Sequence, residues 1–276
     1  MMAATAREFT TNELMVVAVA RLLRDNEMGF LGIGTGGRAF TLTFGIPAAA
    51  ARLAQLTHAP NFAVQLGSLV DPKLDRMPSL SPGQSITNLR YDMRWPASAR
   101  IAALDNMDVF IKGGVDVGFV TAAQIDRYGN LNITCIGDYR RPKVRLVGTL
   151  AQPELMAFPK RTIILMDQTS RAFVPRVDFR TSAGYLEGGD SRQRAGLGAN
   201  GPVAVVTNLC VMDFEEASKA MRVRSLHRGT TAEQVRQSTG FDLLVAEDLR
   251  ETEPPSAEEV RLIREVVDPH GILLAQ

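Results

Sequence analysis

Cysteine is scarce in this chain: only Cys135 and Cys210 occur in 276 residues, each inside an apolar, strand-like run. Their spacing fits neither a metal knuckle nor a disulfide framework, so both are expected as buried free thiols in a reducing cytoplasm. Long hydrophobic runs are missing too. No uninterrupted apolar stretch reaches the roughly 18 residues that a membrane span needs, so no membrane partner is expected. The N-terminal MMAATAREFTTNEL has no basic segment leading into an apolar one, which argues against a secretory signal. Neither sign of charge dominates: 31 Lys and Arg against 30 Asp and Glu leave a net charge of +1. That balance creates no field to gather nucleic acid. His58, His227 and His270 stand too far apart for metal-ligand spacing, and no metal is expected. A Gly-x-Ser-x-Gly elbow, an internal repeat and a low-complexity tract are also lacking.

What is there reads as one α/β domain over residues 1–276. Its 45% hydrophobic and 22% charged composition is ordinary for a globular protein with a large core. Thr10 and Glu13 have capping-box spacing at the start of a helix running to Asp25. A strand over Met28–Ile33, a helix from Pro47 to Leu56 and a strand over Phe62–Leu66 follow. Further strands are expected at Val109–Lys112, Val117–Val120, Leu131–Ile136, Thr162–Met166 and Val203–Val206. Strands interspersed with helices predict an open, mostly parallel sheet flanked by helices. Long loops are expected near 71–97, which is proline-rich, and near 180–202, which reads as a mobile surface excursion. Capping boxes recur at Thr231 with Gln234 and at Ser256 with Glu259, the second opening a helix whose apolar face is Val260, Ile263, Val266 and Val267.

Two glycine-bearing segments invite a functional reading. Gly32-Ile33-Gly34-Thr35-Gly36-Gly37 follows a strand, but no immediate helix is expected after it. No acidic residue stands about 20 positions on, which disfavours a dinucleotide site. Residues 113–137 contain Gly113 and Gly114, whose missing Cβ atoms let backbone approach a ligand, and the turn Asp126-Arg127-Tyr128-Gly129-Asn130.

Within that second segment, Ala123-Gln124-Ile125-Asp126-Arg127-Tyr128-Gly129-Asn130 resembles a signature of the β subunits of class I CoA-transferases, glutaconate CoA-transferase in particular. Other blocks carry the resemblance in order, from about Asn12 to about Pro269. Among them are Ala49–Ala54 with Thr57-His58-Ala59-Pro60-Asn61, Gly137–Leu146, Gly201–Leu209, Met221–His227 and Thr239–Leu243. The resemblance implies the class I CoA-transferase fold and a homologous α subunit as partner, as an α2β2 heterotetramer. Acyl-CoA is the implied substrate. Coenzyme A enters as substrate, with no tightly bound cofactor.

The family works through a β-subunit Glu that attacks the thioester. Counting without gaps from Asn61 places Gly67 at that position, beside Ser68; a slip of two residues offers Gln65. Neither can form the acyl intermediate, and the nearest acid is Asp71. The family's oxyanion turn corresponds to Thr121-Ala122-Ala123-Gln124, whose backbone N–H donors survive side-chain exchange. A Gly-rich loop at 32–37 also fits near a CoA-bearing substrate, and fits a purely structural loop equally well. The implied function is therefore CoA transfer to a small carboxylic acid by a heteromeric enzyme. Two alternatives stand beside it. One is a CoA-ester hydrolase of the ring-opening, C–C bond type known from steroid degradation, with the carboxylate on the α subunit. The other is a non-catalytic partner subunit.

Overall fold

The computed structural model describes residues 9–32, 36–78 and 94–275. A ten-stranded sheet runs through it. The middle strands are β1 (Met28–Phe30), β2 (Ala63–Leu66), β5 (Val117–Val120), β10 (Arg161–Met166) and β11 (Pro202–Thr207). They lie parallel in the spatial order β2-β1-β5-β10-β11. Such strands are covered on both faces, so they read as continuous apolar runs; Thr162–Met166 is buried at every position. Antiparallel pairs extend both ends of this unit. On one side stand β3 (Leu69–Pro72) and β4 (Ala97–Arg100). On the other are β12 (Cys210–Phe214) and β13 (Met221–Leu226), with β14 (Leu244–Glu251) returning parallel to β13 at the edge.

Helices cover the two faces separately. Helix α1 (Thr11–Ala20) carries the expected capping box, Thr10 accepting from the Glu13 N–H while Glu13 accepts from that of Thr10. It packs with α3 (Ile46–Thr57) over Val64, Phe119, Ile163 and Leu165. Helices α4 (Ala103–Ile111) and α5 (Gln152–Ala157) cover the other face, where Phe110, Leu155 and Met156 meet Phe30, Val120, Ile164 and Val205. Fully burying each such side chain contributes about 1.5–3 kcal/mol, so both faces stabilise the sheet.

Several expectations are corrected. Val109–Ile111 ends α4 and is not a strand: Asp105, Asp108 and Lys112 repeat at helical spacing, and Lys112 pairs with Asp108 at 2.6 Å. The Leu131–Ile136 run is split into β7 (Leu131–Asn132) and β8 (Cys135–Ile136), because the Asn132 carboxamide accepts from the N–H groups of Thr134 and Cys135. Val266 stands 42% exposed beside buried Ile263 and Val267, since a π-helical turn over Ile263–Val267 shifts the face of the last helix, α8 (Ala257–Leu262).

The Gly-rich loop is followed at once by a helix. Helix α2 (Gly37–Phe40) continues through a π-helical turn, Thr41–Gly45, into α3. Pro47 explains the π turn. Lacking an N–H and crowding the carbonyl four residues back, proline disrupts ordinary helix, and the wider turn accommodates it. Residues 33–35 of that loop and 79–93 of the proline-rich stretch lie outside the described residues. The ends of that stretch are β3, a 3₁₀ turn at Leu74–Arg76, and β4.

The expected mobile excursion at 180–202 is packed. Thr181, Ser182, Ser191 and Arg192 are buried, with a short helix, α6, at Ser191–Arg194. The Arg192 guanidinium donates to the carbonyls of Gly198, Ala183, Gly184 and Met156. Both cysteines are buried, and burial pushes the Cys210 thiol up to about 12. Among the described residues no helix is long and apolar enough to cross a membrane.

Candidate active site

Chain order in the parallel unit reverses at β1. From β1 the chain moves to β2 through helices on one face, then returns past β1 to β5 through α4 on the other. Connections therefore leave the carboxyl ends of β1 and β5 in opposite directions and open a crevice there, where doubly wound sheets bind ligands. Leu31–Gly32 and Thr121–Ala122 border it, and β2 brings Gln65 alongside, paired with Phe30.

Gln65 is completely buried. Its Nε2 donates to Asn106 Oδ1 at 2.5 Å and lies 3.4 Å from the Gly67 carbonyl oxygen, and these two acceptors fix which way the carboxamide faces. Its Oε1 has no hydrogen-bond partner among the described residues. Asn106, on α4 beside the Phe30–Phe110 ring pair at 4.6 Å, has no sequence signal of its own; only the crossover brings it to β2.

Gly67 is a turn residue. Together with Ser68 it joins β2 to β3, and its φ of +54° is a left-handed conformation that glycine adopts without strain. The Ser68 carbonyl accepts from the Ile101 N–H. The side chain at this point of the crevice is thus that of Gln65, two residues upstream of the ungapped position. Asp71 faces elsewhere, bound to Lys73 Nζ at 2.5 Å and to Ser98 Oγ at 2.7 Å.

Gly113 and Gly114 are not brought to this crevice. The Gly114 N–H donates to the Val109 carbonyl and that of Gly113 to Phe110, the paired bonds of a helix C-terminal cap, with φ +77° at Gly113. They lie at the amino end of β5, on the opposite side of the sheet from the strands' carboxyl ends. Both glycines serve the exit from α4.

Thr121–Gln124 does stand at the crevice. The Ala123 N–H pairs with the Asn132 carbonyl, whereas the Ala122 N–H makes no hydrogen bond to a described residue. Gln124 is committed to structure: its Oε1 accepts from Asn132 Nδ2 and the Asp178 N–H, and its Nε2 donates to Asp178. Ala123 and Gln124, with Thr169, Arg171, Ala172 and Ile136, line an open cleft of about 440 Å³. Beyond it, β6 (Gln124–Ile125) and β7 form a hairpin turned by Gly129 at φ +72°. Asp126 accepts from the N–H groups of Tyr128 and Asn130, while the Asn130 side chain holds Gly184 and Leu186. Burial raises the Asp126 carboxyl above its ordinary range, against the lowering effect of these bonds.

At the carboxyl end of β10, Arg38 from the start of α2 grips Asp167 through Nε and a terminal nitrogen and also donates to Asn12. His227 is buried between Thr252 Oγ1 and the Thr207 carbonyl, and desolvation lowers it to about 4. A carbonyl can only accept, so Nε2 carries the proton in this neutral ring. That makes His227 a structural histidine.

A family profile described as Coenzyme A transferase matches residues 12–238. The chain belongs to this family. It is 39% identical over 258 residues to the β subunit of the 3-oxoadipate CoA-transferase of Pseudomonas knackmussii, covering 93% of this chain and 92% of that one. The β subunit of glutaconate CoA-transferase from Acidaminococcus fermentans is 30% identical over 95% of this chain and 93% of its own. The crystal structure of that transferase superimposes with a TM-score of 0.82 at 28% identity, covering 97% of this chain and 98% of the matched one. The cholesterol ring-cleaving hydrolase IpdB subunit of Rhodococcus jostii is 34% identical over 151 residues, 55% of this chain and 59% of its own. An α/β CoA-transferase enzyme thus carries the crevice described above, and the two transferase β subunits match it nearly end to end.

Proposed function

We propose that this chain is the β-type subunit of a heteromeric enzyme acting on acyl-CoA thioesters, and that it transfers CoA to a small carboxylic acid. Its partner is a homologous α subunit in an α2β2 assembly, and coenzyme A is substrate, with no resident cofactor. Near end-to-end similarity to the β subunits of two CoA-transferases carries this reading. The Ala122 N–H fits it, because attack on a thioester carbonyl builds negative charge on oxygen, and a backbone donor with no partner among the described residues can stabilise that charge.

A second reading, CoA-ester hydrolysis of the C–C bond type, is favoured by one observation. Gln65 is a carboxamide at the end of β2, and an amide cannot form an acyl anhydride with the thioester. Under that reading the working carboxylate comes from the α subunit.

Co-expression with the homologous chain and a panel of acyl-CoA substrates tests both. Conversion of the donor thioester into the CoA thioester of an added carboxylic acid, with no free CoA accumulating and no loss without the acid, is expected. Acceptor-independent loss of substrate would favour hydrolysis, and no turnover by the complex would leave a non-catalytic subunit. Hydroxylamine or borohydride trapping supplies a check on the chemistry: a covalent CoA adduct on this chain excludes the second reading.

A further inference from the structure

Thr121 C=O and Ala122 N–H belong to one peptide unit. No cis peptide occurs among the described residues, so in this unit the two groups point in opposite directions. Whatever holds the Thr121 carbonyl therefore aims the Ala122 N–H. That holder is Gln152, the first residue of α5, whose Nε2 donates to the Thr121 carbonyl at 2.6 Å.

The Gln152 carboxamide is itself fixed. It is 7% exposed, and its Oε1 accepts from Ser182 Oγ at 3.0 Å, which leaves the NH2 group facing Thr121. Ser182 is held in turn by backbone bonds in both directions with Leu131 of the β6–β7 hairpin. Helix α5 is anchored behind Gln152, since Thr162 Oγ1 donates to the Leu155 carbonyl and Arg192 to that of Met156. Ser182, Gln152 and the Thr121 carbonyl are thus each held, whereas the Ala122 N–H has no partner among the described residues.

We infer that Gln152 is a positioning residue: it clamps the Thr121–Ala122 peptide so that the Ala122 N–H is presented to the carbonyl oxygen of the substrate. This rests on the acyl-CoA reading above, and deepens it. Gln152 touches no substrate. It acts by preventing a peptide rotation that would replace a donor with a carbonyl acceptor, turning attraction for the developing charge into repulsion.

Gln152→Glu tests the clamp in the complex with the α subunit. As a carboxylate the new side chain repels the Thr121 carbonyl; once protonated it can donate to Thr121 and still accept from Ser182. The expected result is a fall in kcat of about 10- to 100-fold near neutral pH with KM little changed, smaller than the roughly 100- to 1,000-fold loss of an oxyanion donor itself. Activity relative to wild type should recover on acidification, whereas Gln152→Ala should lose kcat without recovering. Unchanged kcat in both variants, or a loss carried by KM alone, would overturn the inference. Should either Gln152 variant fail to fold, Ser182→Ala, which removes only the brace, should lower kcat by a smaller factor; wild-type kcat would count against the clamp. A wild-type complex that turns over no acyl-CoA would sink the functional reading instead. In that event amide exchange at Ala122 decides the clamp alone: its rate should change in Gln152→Glu, and an identical rate refutes it.

Discussion

A buried carboxamide oxygen with no partner costs about 1–3 kcal/mol relative to one that is satisfied. Among the described residues the Gln65 Oε1, at the end of β2, is such an oxygen. Gln65→Leu removes that oxygen at similar volume but also strands the half-buried acceptor Asn106 Oδ1, so it should cost about 1–3 kcal/mol while leaving the fold intact. Turnover of the complex should nevertheless fall at least about tenfold if the oxygen meets substrate. Thermal melts paired with steady-state kinetics separate the two effects. At His227 the folded ring titrates near 4 and the unfolded one near 6.5, so the unfolded state binds more protons between these values. Stability from this residue is complete above about pH 6.5 and is lost as pH falls toward 4, by about 3 kcal/mol at most. Urea midpoints at pH 7 and pH 5 should show this loss, and His227→Gln should reduce it.

At the scale of elements, the π turn between α2 and α3 is built around contacts as well as Pro47. A Cβ at Gly45 would stand 1.9 Å from the Leu273 carbonyl oxygen, where the C-terminal segment crosses the turn. Gly45→Ala should therefore displace that segment and cost about 1–3 kcal/mol, read as a lowered melting temperature. Gly32 serves packing in the same way, since its Cβ would meet Thr43 Cγ2 at 2.2 Å. Capping boxes at Thr10, Thr231 and Ser256 were legible because a cap is a local hydrogen-bond pattern. The β3–β4 pair and β12–β14 were not: half-buried strands with charged residues carry a weak apolar signal and depend on neighbours for their pairing.

Across the whole molecule, Arg192 ties the 183–198 segment to α5 through four neutral carbonyls, with no carboxylate partner among the described residues. Removing the fork leaves several buried acceptors unpaired, so Arg192→Met should cost on the order of 3–5 kcal/mol. Arg192→Lys should not rescue it, because an ammonium cannot span four acceptors as a planar guanidinium does. Denaturant midpoints and faster amide exchange over 183–198 would show both.

Sequence alone determined the family, the parallel α/β character and the caps, because these rest on local patterns and on residues matched in order along the chain. It also matched Thr121–Gln124 to the family's oxyanion turn. Tertiary structure decided the rest. The sheet's reversal at β1 sets Gln65 and Asn106 side by side across 41 residues, and the packing of α5 puts Gln152 against Thr121 across 31. The C-terminal cap of α4 keeps Gly113 and Gly114 at the amino end of β5, away from the crevice. Contacts between distant segments follow from topology, and no local pattern of residue types encodes them.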